Sequence, residues 1–248
     1  MKAIELIRPD WPAPASIVAC VSTRVGGVSL PPFDALNLAL HVSDDPEAVV
    51  KNRQLLKASA IMPAAPCWLN QVHGNTVIDA ARLDQTVPEG DGVYTNKAAV
   101  VCSVLTADCL PVLFTDIHGC CVAATHAGWR GLANGVLEAT VASLPVPVEN
   151  ILAWMGPAIG PEAFEVGTEV RDAFLALGSD AELAFRPAKK PAHWYANLYQ
   201  LARAILSRAG VTRLYGGGFC TYTESARFFS YRRDGQTGRM ASSIWIAS

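Results

Sequence analysis

Four short apolar runs dominate the middle of this chain: Ala99 to Leu105, Leu110 to Thr115, Cys120 to Thr125 and Ile151 to Met155. Each is brief, largely apolar and bounded by polar or turn-forming residues, so each reads as a buried strand. Pro111 cannot donate to a ladder, which favours an edge or a bulge for the second run. Between the strands the pattern turns helical. Asp45-Pro46 supplies an N-cap and a first-position proline to a helix carrying Val49, Arg53 and Leu56. Leu132, Val136, Thr140, Val141 and Leu144 recur at helical spacing, as do the apolar residues of Asn197 to Ala209, with Gly210 at the C-cap position. Arg213 to Phe219, Phe228 to Tyr231 and Ile244 to Ile246 read as further strands. A chain rich in strands, with helices long enough to cover sheet faces, is a layered α/β protein.

The 248 residues, 51% apolar and 17% charged, suffice for one large filled core, and Pro145-Val-Pro147 reads as a loop rather than a domain boundary. The sequence is therefore read as one domain over 1–248. A net charge of −2 offers no footprint for nucleic acid. Glu5, Asp10 and several prolines interrupt the start where a signal peptide needs apolar continuity, and the most apolar run, Ala98 to Leu105, is far too short to cross a bilayer. The expected location is cytoplasmic, without a membrane partner. Seven cysteines in no disulfide-like spacing are expected to be thiols, with Cys102, Cys120 and Cys121 as small core residues.

Three metal-ligand side chains sit at strand ends or turns: His73 in Asn70-Gln-Val-His73-Gly74-Asn75, Cys109 after a buried strand, and His126 at the end of another. Two imidazoles and a thiolate suit zinc, and three protein ligands leave a fourth position open. The wide spacing also fits two polar-turn histidines and one buried thiol. His41, His118 and His193 have no comparable setting and read as structural or exposed, and Arg227, Arg232 and Arg233 as surface or loop charges.

Asn70-Gln-Val-His73-Gly, Thr106-Ala-Asp-Cys109-Leu-Pro and His126-Ala-Gly-Trp-Arg130-Gly131 together resemble the signature set of the YfiH-like family. Ser22-Thr-Arg24-Val-Gly-Gly27, Leu36-Asn37-Leu38, Asn52-Arg53, Met155-Gly-Pro-Ala-Ile-Gly160 and Phe229-Ser-Tyr-Arg232-Arg-Asp extend the resemblance over nearly the whole chain. That family has been called multicopper polyphenol oxidoreductase or laccase-domain, peptidoglycan editing factor and purine nucleoside phosphorylase. The resemblance implies a compact single-domain four-layer αββα sandwich with a metal triad at His73, Cys109 and His126, holding zinc, with copper as the alternative. It implies phosphorolysis of inosine, adenosine, guanosine and 5′-methylthioadenosine, with adenosine deamination as a second activity.

The partners expected are a small purine nucleoside and phosphate, and the chain is expected to be a monomer or weak homo-oligomer. Arg24, Arg53 and Arg130 are candidates for phosphate, whose oxygens match guanidinium forks. Asn37 is a candidate for ribose or base edges. Cys109, Asp108 and Arg53 are the catalytic candidates, Asp108 moving a proton or accepting a hydrogen bond near the ligand sulfur. Three other readings stand beside this one: a copper-dependent phenol oxidase, a metal-free hydrolase with Cys109 as nucleophile, and a cell-wall accessory protein.

Overall fold

The computed structural model describes residues 2–82 and 87–247. In chain order the first half contains strands β1 (Leu6–Ile7) and β2 (Ile17–Ser22), helix α1 (Pro46–Ala60), and strands β3 (Val77–Asp79), β4 (Gly92–Thr95), β5 (Cys102–Thr106), β6 (Leu110–Asp116) and β7 (Val122–Ala127). Then follow helices α2 (Trp129–Ala133) and α3 (Val136–Ser143), strands β8 (Ile151–Met155) and β9 (Glu165–Gly167), and helix α4 (Thr168–Leu175). Strands β10 (Phe185–Pro187) and β11 (His193–Ala196), helix α5 (Leu198–Arg208), strand β12 (Arg213–Gly216), helix α6 (Tyr231–Asp234) and strand β13 (Met240–Ile246) complete the chain.

Two sheets are stacked face to face. One has the order β1-β2-β13-β5, the other β12-β8-β6-β7-β4-β3, and a small third sheet orders β10-β11-β9. Side-chain alternation along β6 shows how the layers are filled. Leu110, Val112 and Phe114 point into a core shared with α2, α3, α4 and α5, whereas Leu113 points into a core shared with β2, β5 and β13. On the far side of the four-stranded sheet, Cys20, Ala241 and Trp245 pack against Leu56 and Ala60 of α1. The layers run helix, sheet, sheet, helix. This is the expected αββα sandwich.

The Asp45 carboxylate accepts from the Glu47 N–H at the start of α1, as an N-cap should. Other local expectations need correction. Pro111 lies in the central strand of its sheet, paired with His126 on one side, while the ladder to β8 begins only at Val112. The proline thus sits where no bond from its nitrogen to β8 is required. Ala99 has φ +61 and belongs to the turn before β5. The helical run after His126 divides into α2 and α3 at Asn134-Gly135, where Gly135 has φ +85. Phe228 and Phe229 are fully buried in a loop leading to α6 rather than in a strand. Cys102 and Cys121 are buried as expected, but Cys120 is exposed. The buried Asp116 carboxylate accepts from the N–H groups of His118, Cys120 and Cys121, and the tight turn so formed turns Cys120 outward.

Among the described residues no helix is long and apolar enough to cross a membrane. Because Phe114 is fully buried at the middle of the central strand, Phe114→Ala should destabilise the fold by about 3–5 kcal/mol. Urea denaturation checks this through a lower midpoint at unchanged slope.

Candidate metal centre

The loop after β5 gives Cys109 its direction. Asp108 has φ +91, a left-handed conformation that aspartate tolerates better than most residues. Its side chain closes the turn: Oδ1 accepts from the Thr221 hydroxyl at 2.6 Å and Oδ2 from the Arg232 N–H at 2.6 Å. His126 is in β7, one residue from the strand's end, and is only 3% exposed. His73 is exposed, in a loop, with φ +60.

One buried carboxylate joins the two histidines. Asp91 accepts from the backbone N–H groups of Val72, His73 and Gly74 at 3.2, 3.0 and 2.7 Å. Its Oδ1 also lies 2.7 Å from His126 Nδ1. A carboxylate only accepts, so Nδ1 of His126 carries a proton, and in the neutral ring that a cation would bind the lone pair falls on Nε2. The carboxylate of Asp91 thereby fixes the loop that carries one imidazole and the tautomer of the other.

The three side chains converge. Their ligand atoms lie within 4.8 Å of one another, and Cys109 Sγ is 3.8 Å from His73 Nε2. The two imidazole rings meet edge to face, with centroids 4.8 Å apart. Gly128 makes room for them. A Cβ at this position would lie 2.9 Å from Cys109 Sγ and 3.0 Å from His73 Cδ2, so any larger residue fills the cradle.

The electrostatics match the geometry. Burial opposes the Cys109 thiolate, but the His126 and His73 imidazoles outweigh it and bring the thiol down to about 6. Burial also disfavours a charged His126, yet Cys109 and Asp91 raise its pKa to about 9. Burial would lift the Asp91 carboxyl, but the His126 ring and the loop N–H groups hold it below its ordinary value. Thiolate and imidazolium are therefore the forms present near neutrality when no cation is bound.

The triad opens onto a cavity of about 580 Å³, a size suited to a small molecule. Of the other residues singled out in the sequence, Asp108 and Arg130 line it. Arg24, Asn37 and Arg53 do not. Arg24 pairs with Asp34 and donates to Ser225 O at a separate surface cavity. Asn37 is fully buried, with its amide bonded to Asp44, Ala39 and the Arg239 N–H. Arg53 donates to Leu38 O and lies over the Trp68 ring.

Sequence reading passed over Asp91, whose Gly90-Asp91-Gly92 setting looks like an ordinary turn. It left His41 and Arg232 as structural or surface groups and did not single out Arg239, although all three line the cavity. Their placement depends on the packing of β13 and α6 beside the triad, which no local pattern encodes.

The family described as Multi-copper polyphenol oxidoreductase laccase matches residues 18–247. A Pseudomonas aeruginosa protein named as a purine nucleoside phosphorylase is 55% identical over 240 residues, covering 97% of this chain and 98% of that one. The Escherichia coli purine nucleoside phosphorylase YfiH is 53% identical over 242 residues, covering 98% and 99%. Among solved structures, a Neisseria meningitidis protein superposes with a TM-score of 0.94 at 47% identity, covering both chains in full. YlmD from Geobacillus stearothermophilus does so with a TM-score of 0.92 at 33% identity, covering 100% of this chain and 98% of that one. With matched motifs, fold and converging side chains together, this chain belongs to the YfiH family.

Proposed function

We propose that this protein is a zinc-dependent purine nucleoside phosphorylase of the cytoplasm, a single domain acting as a monomer or weak homo-oligomer. The observation that carries the reading is the convergence of His73, Cys109 and His126 at the wall of a nucleoside-sized cavity. The names of its close relatives support the reaction class.

The donor set fits the metal. Two imidazoles and a thiolate suit zinc and would also accept copper, whereas magnesium and calcium prefer oxygen ligands. Bound by these three side chains, the cation would supply Lewis acidity to a ligand in the cavity. Around it the chain's own residues bind and orient. Asp91 keeps the proton on His126 Nδ1 and holds the His73 loop. Asp108, with both oxygens engaged, positions Cys109 rather than carrying a proton. Trp129, Phe164 and Tyr231 line the cavity with flat apolar surface suited to a purine ring, and Arg130 lies over the Trp129 ring at 4.5 Å.

In phosphorolysis a phosphate oxygen bonds to the anomeric carbon of ribose as the glycosidic bond breaks. The base leaves with the bonding electrons and takes a proton, giving free purine and ribose 1-phosphate. Inosine, adenosine, guanosine and 5′-methylthioadenosine share the groups this requires. Adenosine deamination, in which water adds at C6 and the exocyclic amino group leaves as ammonia to give inosine, is the second activity of the same site.

One observation favours a second reading. Sγ of Cys109 and Nε2 of His73 lie 3.8 Å apart with the thiol acidified, the arrangement of a cysteine nucleophile beside a base. A multicopper oxidase is less well supported. Among the described residues the triad is the one cluster of at least three metal-ligating side chains, and the chain has five histidines.

Zinc-loaded protein should convert inosine and phosphate to hypoxanthine and ribose 1-phosphate, and His73→Ala or Cys109→Ala should lose both the metal and the activity. Absence of both products from the loaded enzyme, assayed by chromatography, would refute the phosphorylase reading. Asp91→Asn should weaken zinc binding by about 10–100-fold in a chelator competition, because both histidines lose their anchor. In metal-stripped protein, the Cys109 thiolate should form with a midpoint near pH 6, against 9.0 for an ordinary thiol. Alkylation at Cys109 should therefore stay fast near neutrality and slow as the pH falls through that midpoint. Protection by added zinc is the expected outcome; indifference to zinc would favour the hydrolase.

A further inference from the structure

We propose that the cavity contains a built anion site in which Arg239, with His41 beside it, holds inorganic phosphate, and that Asn37 positions both. The identity of the anion rests on the phosphorylase reading. The site itself rests on the arrangement of charge and hydrogen bonds.

Phosphate must lie close to the triad to reach a nucleoside bound there, and it needs cationic donors that no carboxylate has already claimed. Asp108 is the only carboxylate lining the cavity among the described residues, and its two oxygens are taken by Thr221 and Arg232. Three guanidinium groups line the same space: Arg130, Arg232 and Arg239. They differ in how they are held. Arg130 is exposed and stacked on Trp129, and Arg232 is exposed with Nη1 donating to Glu165 O. Arg239 is half-buried, and its Nη1 donates to Thr237 O at 2.8 Å and Gly238 O at 3.0 Å. Its Nε and Nη2 have no hydrogen-bond partner among the described residues, and neither does any carboxylate pair with it. A desolvated guanidinium fixed at one nitrogen and free at the others is preorganised for a bidentate oxyanion.

His41 adds an imidazole beside the Arg239 guanidinium. It sits in a 3-10 turn, Leu40–Val42, and lines the cavity. Burial lowers its pKa, and the neighbouring charges of Arg239 and Arg53 lower it further. The ring is therefore held in its neutral form, which offers an anion one N–H donor.

Asn37 joins these parts. Its Oδ1 accepts from the Arg239 N–H and the Ala39 N–H, both at 3.0 Å, and its Nδ2 donates to Ala39 O at 3.1 Å and Asp44 Oδ2 at 2.8 Å. The segment leading to His41 and the start of β13 are thus fastened to one amide. Gly238 permits the approach, since a Cβ there would lie 2.9 Å from Asn37 Cβ and 2.7 Å from Phe229 Cζ. Asn37 is a positioning residue, not a substrate contact.

The test is steady-state kinetics on zinc-loaded wild type, Arg239→Gln, Arg239→Lys and Asn37→Ala, varying inorganic phosphate and inosine separately. A second readout needs no turnover: the rise in thermal midpoint that inorganic phosphate induces without nucleoside. Arg239→Gln should raise KM for phosphate by about tenfold or more, the loss of a charge-assisted hydrogen bond, with KM for inosine unchanged and the phosphate-induced thermal rise abolished. Arg239→Lys should recover part of both effects, because it keeps the charge but not the fork. Asn37→Ala should raise KM for phosphate while zinc content stays at the wild-type level. A wild-type phosphate KM and thermal rise in Arg239→Gln, or their loss in Arg130→Gln instead, would overturn the assignment. If wild type phosphorolyses no purine nucleoside yet phosphate stabilises it through Arg239, the anion site stands and the phosphorylase reading falls. Should Arg239→Gln not fold, Arg239→Lys and His41→Asn carry the same comparison.

Discussion

The site depends on the buried carboxylate of Asp91. It accepts from three consecutive backbone N–H groups and from one imidazole. A carboxylate removed from water is tolerated only when its oxygens are fully hydrogen-bonded, and here the bonds it needs are the ones that align two candidate ligands. The stability of the anion and the geometry of the triad are therefore one constraint. The third member, Cys109, is held from another direction, through Asp108 and the segments it ties to β5–β6.

The sandwich explains why these anchors are rigid. β6 and β7 lie at the centre of the six-stranded sheet, packed on one face by helices and on the other by the second sheet. Cys109 just precedes β6, and His126 lies near the end of β7. Displacement of either means moving strands with filled cores on both faces. The exposed His73, by contrast, sits on a loop whose order comes from the Asp91 hydrogen bonds.

Much of this was legible in the sequence because it is encoded locally. The strands at β6, β7 and β8 follow from short apolar runs and the start of α1 from Asp45-Pro46, while the meeting of His73, Cys109 and His126, which their spacing leaves open, follows from the resemblance of their motifs to the YfiH family. What failed was whatever depends on partners distant in the chain. Pro111 looked like an edge residue because its ladder positions are invisible without register. Asn37 and Arg53, read as substrate candidates, are held by partners the sequence does not reveal: Asn37 by the Arg239 N–H, and Arg53 by Leu38 O and the Trp68 ring. Cys120 looked apolar until the Asp116 turn placed it outside. Arg239 carried no local signal at all, since its cavity exists only where β13 passes the β5 end.

Asn37 and Arg239 are separated by 202 positions yet share a hydrogen bond. The final strand, β13, inserts between β2 and β5, so an early and a late portion of the polypeptide close the cavity together. Such distant pairing forms slowly compared with local turns. During synthesis, the residues carrying the two histidines and the cysteine emerge well before the wall that faces them. Because β13 also supplies the ladder partner of β5, the strand that leads to Cys109, the triad and the proposed anion pocket both wait on the last strand to be made.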